Sequence, residues 1–317
     1  MGHSNPQIMS IAPYLREIGR GKDGARALTR EQARDLMSQI LSGDVSDVQL
    51  GGFALAMRIK GETAAELAGF MDAVLPLNLP MPSADRAVLL PSYNGARKLP
   101  NLTPLLALLL ARKGVPVLVH GMLKDDNRVT SAEVFRQLDL LPCVDAAGLA
   151  ARWMVGAPAF MALERINPPL HTLLTLREQL GLRNPGHTLA KILPALPGAL
   201  RVVNHTHPEY GESLAEFLDL DRASALLLRG TEGEPVADAR RTPRMAVWLD
   251  GARRPDLGCE AATGSLAQVP DLPASDASST ARYIEMVLAG RLPVPAPIAR
   301  QVQLIVALRE LMAVNSR

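Results

Sequence analysis

Cysteine is nearly absent: Cys143 and Cys259 are the two in 317 residues. A disulfide framework is excluded, and their wide separation fits no metal-ligand spacing. They read as reduced, partly buried thiols of a cytoplasmic protein. Aromatic residues make up 3% of the chain, so the core must be built of Leu, Ala, Val, Ile and Met. That scarcity also excludes an aromatic platform for stacking bases. Lysine is scarce as well, contributing six of 34 basic residues against 28 arginines. The longest apolar run, Leu105 to Ala111, is far too short to span a bilayer. The first residues lack a basic-then-apolar leader pattern, so no leader is expected. GxSxG, HExxH and CxxC motifs are missing. No cofactor and no metal is expected from the sequence.

What is present is an apolar fraction of 48%, enough for a sizeable core. The length suits two domains, one small and one large. A net charge of +2 does not argue for a polyanionic partner. The arginine excess either reflects codon usage or supplies planar donor forks suited to phosphate and carboxylate.

Three helix starts open the chain. Thr29 with Gln32, Ser46 with Gln49 and Thr63 with Glu66 are candidate capping boxes, each followed by apolar residues at helical spacing. Gly43 and Gly61 separate the helices. Leu50, Phe53 and Met57 are expected to lie exposed on so small a bundle. The Pro-rich stretch 76–85 is the expected boundary, giving a helical domain at 1–78 and a larger domain at 79–317. A helical segment near 160–185 is expected to join the first. Beyond the boundary, short apolar runs at 87–91, 115–121, 201–204, 225–229 and 245–249 read as strands. Residues 101–113, a segment capped by Thr130 and Glu133, the stretch 170–200 and 298–312 read as helical. Residues 268–280 read as a loop. The rhythm predicts an α/β fold: a small helical domain plus a larger domain with a mixed, mainly parallel sheet.

In such a fold the loops after the strands hold the site. Residues 91–101, PSYNGARKLPN, have Gly95 alone where a phosphate loop needs several glycines, yet they carry Arg97 and Lys98. They are either a surface loop or an anion contact through side chains. His120 ends a strand and is either structural or catalytic. Asp125 and Asp126 are either a hard-metal site or a solvated turn. His205, His207 and Glu209 lack a recognisable third-ligand spacing for zinc. Arg240, Arg241 and Arg244 precede the strand at 245–249, and Arg253 and Arg254 follow it. They either pair with acids such as Glu232, Glu234, Asp238 and Asp256 or gather into a patch.

The segment KDGARALTREQARDLMSQILSGDVSDVQLGGFALAMRIKGETAAELAGF at 22–70, with VPVLVHG and LREQLGLRNP, resembles anthranilate phosphoribosyltransferases and the thymidine phosphorylase class. The resemblance implies a helical domain that dimerises and an α/β domain that holds the substrate. It places the family's GTGGD diphosphate loop on PSYNG, where Gly95 alone matches. It places the NxST element on Asn101 and Thr103, and the KHGN motif on His120 and Gly121. Arg177 falls on the arginine that contacts the anthranilate carboxylate, and Arg183 also fits. The family's magnesium-holding acidic pair is expected near 205–213, with at most Glu209 retained.

The degraded loop and the missing pair lean against an enzyme. The resemblance then implies the divergent branch that holds DNA or RNA by its backbone. A cytoplasmic homodimer is expected, with nucleic-acid contacts at Arg240, Arg241, Arg244, Arg253 and Arg254. A vestigial pocket is expected around Gly95, Arg97, Lys98, Asn101, Thr103, His120, Gly121, Arg177 and Arg183. The alternative is a glycosyltransferase acting on an unidentified substrate.

Overall fold

The structure is a computed structural model; it describes residues 10–21, 23–82, 87–262 and 270–315. Residues 83–85 of the Pro-rich stretch and 268–269 of the expected loop lie outside the described residues. The chain forms two compact units, Met1–Asn78 with Asn167–Leu189, and Leu79–Ile166 with Ala190–Arg317.

The first unit opens with α1 (Ala12–Ile18), a helix the sequence reading did not anticipate. Then come α2 (Arg30–Leu41), α3 (Asp47–Lys60) and α4 (Ala64–Val74). All three expected capping boxes form with both reciprocal hydrogen bonds. The third box is buried: Glu66 accepts from the Thr63 backbone, from Leu28 N at 2.9 Å and from Lys60 Nζ at 2.6 Å. Such a pair survives burial because its remaining lone pairs are also satisfied.

Phe53 and Met57 are not exposed as expected. Both are buried, and Phe53 packs edge-on against Phe70 with centroids 6.0 Å apart. Leu50 is half-buried. Helical periodicity instead exposes Val48, Leu55 and Ile59, at 85%, 50% and 57%.

The second unit carries the sheet. Its elements begin with β1 (Val88–Ser92), α5 (Thr103–Arg112), β2 (Val117–Gly121), α6 (Ser131–Gln137) and α7 (Ala146–Met154). They continue with β3 (Ala159–Ala162) and α8 (Leu163–Ile166). The chain then supplies α9 (Pro168–Leu180) and α10 (Pro185–Ile192). It returns through β4 (Leu200–His205), α11 (Pro208–Asp221), β5 (Ala225–Thr231), β6 (Glu234–Ala237), β7 (Met245–Leu249) and β8 (Ala252–Arg253). It closes with α12 (Ala277–Leu288) and α13 (Ala296–Asn315). The expected loop at 268–280 therefore becomes α12 from Ala277, capped by Asp276.

The strand order is β3-β2-β1-β4-β5-β7-β8, with β6 paired to β5. The first five strands of that order run parallel; β6, β7 and β8 join antiparallel. This is the mixed, mainly parallel sheet read from the sequence. β1, β2 and β3 are buried throughout, as continuous apolar runs in a sheet covered on both faces must be. The chain leaves β1 toward β2 but leaves β4 toward β5, in the opposite direction along the sheet. Right-handed crossovers then put α5 and α11 on opposite faces. α5, α6, α12 and α13 share one apolar cluster, while Leu214, Phe217 and Leu218 of α11 are buried apart from it. The reversal makes the carboxyl ends of β1 and β4 a topological switch point, where such sheets bind ligands.

Candidate active site

The loop from Ser92 to Thr103 leaves the central strand at that switch point. It is packed too closely for ordinary side chains at two points. A Cβ on Gly121, at the end of β2, would stand 1.9 Å from the Ser92 carbonyl oxygen. Gly95 has φ +68°, and its Cβ would meet Arg128 and Val129 at 3.0 Å. Ala96 and Val129 exchange backbone hydrogen bonds of 3.0 and 2.8 Å, tying the loop to the start of α6. Asn101 ties the other end, donating to the Val129 carbonyl at 3.1 Å and accepting from Thr103 N at 3.2 Å.

Two carboxylates from the β5–β6 turn face this loop. Glu234 is fully buried, and its Oε1 accepts from Asn94 N at 3.1 Å and Gly95 N at 2.7 Å. Its Oε2 accepts from the Ser92 hydroxyl and from Thr103 Oγ1 at 3.2 Å. Ser92 Oγ in turn meets Ser131 Oγ at 2.5 Å. Burial pushes the Glu234 carboxyl above the usual range, and the donors from Ser92, Gly95, Asn94 and Thr103 offset this only in part. Glu232 accepts from Arg97 N at 2.6 Å, Lys98 N at 2.9 Å and Leu99 N at 3.4 Å. Burial pushes its carboxyl up, but those three backbone donors and the Arg128 charge outweigh it and leave Glu232 below the usual range. Asn94 Nδ2 donates to the Glu232 carbonyl at 2.5 Å and fastens the turn to the loop.

The family's acidic pair was expected near 205–213. Glu209 stands exposed in the first turn of α11, and the acids that face the loop are Glu232 and Glu234. The sequence carried a signal: TEGE, a glycine turn with two acids, directly follows the strand run ALLLRG. All four oxygens of the pair are aimed at N–H and O–H groups. Carboxylates so saturated with donors do not fit a divalent cation in this arrangement. Among the described residues no group of three His, Cys, Asp or Glu could hold a metal ion.

The other candidates divide. Arg97 and Lys98 are exposed on the loop, while Asn101 and Thr103 are buried in it. His120 is fully buried, and neither ring nitrogen has a hydrogen-bond partner. Burial alone lowers its pKa to about 3, so the ring is neutral. Strand alternation turns His120 to the face opposite Val119 and Gly121. Arg177, in the last turn of α9, and Arg183 belong to the first unit. Asp125 closes a turn by accepting from Asn127 N at 2.9 Å, and Asp126 lies exposed beside Lys124 at 3.7 Å. His205 Nδ1 lies 3.1 Å from the His207 carbonyl, within a segment that becomes α11 at Pro208.

On the sheet face that carries α11, a cleft of about 770 Å³ opens between that helix and β7. Arg241, Arg244 and Arg253 line it, together with Arg229, which the sequence reading did not single out. The β7–β8 pairing sets Arg253 opposite Trp248 and holds its guanidinium 5.3 Å from the indole centroid. Arg244 lies 3.5 Å from Glu260, and Arg241 lies 3.9 Å from Asp238. Arg240 and Arg254 do not line the cleft; they turn to Asp238 at 2.8 Å and Asp256 at 2.7 Å. Glu212, Glu216 and Asp219 of α11 form the cleft's acidic wall.

Comparison with known proteins places these features in a lineage. Residues 12–76 match the family model "Glycosyl transferase family, helical bundle domain". The chain is 40% identical over 297 residues to the uncharacterized protein YbiB of Escherichia coli, covering 90% of each. It is 27% identical over 301 residues to the anthranilate phosphoribosyltransferase of Methanopyrus kandleri, covering 89% of this chain and 84% of that one. The crystal structure of anthranilate phosphoribosyltransferase from Thermus thermophilus superposes with a TM-score of 0.68 at 21% identity, covering 94% of each chain. The lean against an enzyme is overturned by these matches, because the relatives matched over most of their length include several anthranilate phosphoribosyltransferases. No helix among the described residues is long and apolar enough to cross a membrane.

Proposed function

Because the chain belongs to the family of Escherichia coli YbiB and is homologous along most of its length to anthranilate phosphoribosyltransferases, we propose that it is a glycosyltransferase of pentosyl-phosphate type. It moves a pentosyl group from a phosphorylated donor to an acceptor still to be identified. The observation that supports this most is the polar cluster of Ser92, Asn101, Thr103, Ser131 and Glu234 at the sheet's switch point. The donor's charged end lies along the loop 92–103. Because the loop reads PSYNG, with Gly95 as its single glycine, we take it as a departure from the family's diphosphate cradle. Side chains and the N–H groups of residues 97–99 replace part of that cradle. Positioned dipoles of this kind stabilise the charge that grows on a leaving phosphate. Incubation with phosphoribosyl pyrophosphate and a panel of nitrogen bases and aromatic carboxylates, read by ³¹P NMR, tests the proposal. Acceptor-dependent release of pyrophosphate is expected; a donor that stays intact with every acceptor would overturn it.

A second reading concerns the other face of the sheet. Four arginines around one cleft favour DNA or RNA held by its phosphate backbone. Recognition is then electrostatic and weakens as salt rises. Anisotropy of a labelled random oligonucleotide at two salt concentrations tests it. The same reading includes a homodimer through the first unit, supported by Val48, Leu55 and Ile59, which form an exposed apolar stripe along α3.

A further inference from the structure

Glu232 and Gly233 form the two-residue turn of the β5–β6 hairpin, a type I′ geometry that needs positive φ at both positions. The φ of Glu232 is +53°, a left-handed backbone that favours glycine or asparagine. Its carboxylate accepts from three consecutive backbone N–H groups, those of Arg97, Lys98 and Leu99. Successive N–H groups turned to one point form a concavity that binds anions. Arg97 and Lys98 stand exposed beside it, and Arg128 adds its charge. A glutamate thus stands where its side chain fills a site suited to a negative group. A glutamate where asparagine or glycine is favoured points to a role for its side chain.

The neighbouring acid behaves differently. Glu234 is fully buried and fixed by donors on both oxygens, whereas Glu232 is only partly buried. One carboxylate latches the hairpin to the loop; the other can swing out to solvent without uncovering the core.

We propose that the N–H groups of Arg97, Lys98 and Leu99 are an anion site for a phosphate group, and that Glu232 is its built-in competitor. The loop is then self-occupied at rest. A phosphorylated ligand enters by displacing the Glu232 carboxylate, so its affinity is lowered by the effective concentration of that tethered group. This deepens the transferase reading, on which it rests only for the expectation that the phosphate arrives on a sugar.

Calorimetry with pyrophosphate, inorganic phosphate and ribose 5-phosphate, each with and without Mg²⁺, tests the competitor. Glu232→Asn and Glu232→Gly remove the carboxylate and suit the left-handed backbone. Asp126→Asn removes an exposed acid elsewhere and controls for net charge. The two Glu232 variants are expected to bind pyrophosphate about tenfold or more tightly than wild type without Mg²⁺. The control is expected to stay within twofold. Tighter ribose 5-phosphate than inorganic phosphate would identify a sugar phosphate as the source; equal gains would identify the free anion. Unchanged or weaker binding in both Glu232 variants would overturn the proposal. So would binding that needs Mg²⁺ and is lost with Glu232, because that carboxylate would then serve the ligand rather than exclude it. If the variants do not fold, wild-type crystals soaked in pyrophosphate decide. An anion on the N–H groups of 97–99 with Glu232 turned out supports the proposal, and Glu232 in place with the anion elsewhere refutes it. Pyrophosphate release in the acceptor panel is read separately, so failure of the transferase reading does not touch this result.

Discussion

Removing the Glu234 carboxylate is the sharpest perturbation the fold offers. Glu234→Ala deletes the acceptor for two backbone N–H groups, Asn94 and Gly95, and for two hydroxyls, Ser92 and Thr103. Each buried donor left unpaired costs about 1–3 kcal/mol. The hydroxyls can rotate toward one another, since Ser92 already meets Ser131, but the amides cannot. A net loss of about 3–5 kcal/mol follows, similar to breaking a buried ion pair. For a domain of this size that lowers Tm by on the order of 10 °C.

Glu234→Gln is expected to behave otherwise, because its amide oxygen still accepts from the two backbone groups. Its pH dependence carries the sign. The folded carboxyl is raised above its ordinary value of 4.5. Its stabilising contribution is therefore present below 4.5 and lost as pH rises through the folded pKa. The Gln variant should gain on wild type as pH climbs from 4.5. Thermal melts of both variants from pH 4 to pH 8 make the test. A loss below about 1 kcal/mol for Glu234→Ala would refute the donor accounting of the loop.

His120 titrates with the opposite sign: its pKa falls from 6.5 to about 3, so wild type should lose stability as pH drops from 6.5 toward 3. His120→Leu should flatten that limb in the same melts. Replacing Arg241, Arg244 and Arg253 with Ala should weaken oligonucleotide binding about equally across sequences and reduce the log–log salt slope by roughly 2 to 3; a parent-like slope would remove the cleft from that reading. Leu55→Glu with Ile59→Glu should give a monomer mass by light scattering with the far-UV circular dichroism spectrum unchanged, since both side chains are exposed on the single chain.

Local signals in the sequence carried much of the fold. The capping boxes at Thr29, Ser46, Thr63 and Thr130 form because each needs only residues three apart. The strand 245–249 was legible because a buried strand is a continuous apolar run. β3, four residues of AFMA beside an alanine-rich helix, has no contrast with its surroundings. α11 was hidden by its opening PEYGES, which reads as a turn until Leu214. β6 was hidden by Glu234 and Pro235, residues that disfavour strands, although Glu234 is what the loop requires. The site suffered most, because Glu232 and Glu234 meet donors more than 130 residues earlier in the chain. TEGE marks a turn with two acids but not what they meet, and the parallel sheet brings that turn beside the loop after β1.

The most direct test of the account is a backbone amide NMR titration of the wild-type protein with phosphoribosyl pyrophosphate. Binding at the loop should move the amides of Asn94, Gly95, Arg97, Lys98 and Leu99 saturably, with Glu232 and Gly233 moving alongside as the carboxylate leaves. Shifts confined to the arginine cleft at Arg229, Arg241, Arg244 and Arg253, or no saturable shift at all, would contradict the assignment of the loop as the ligand site.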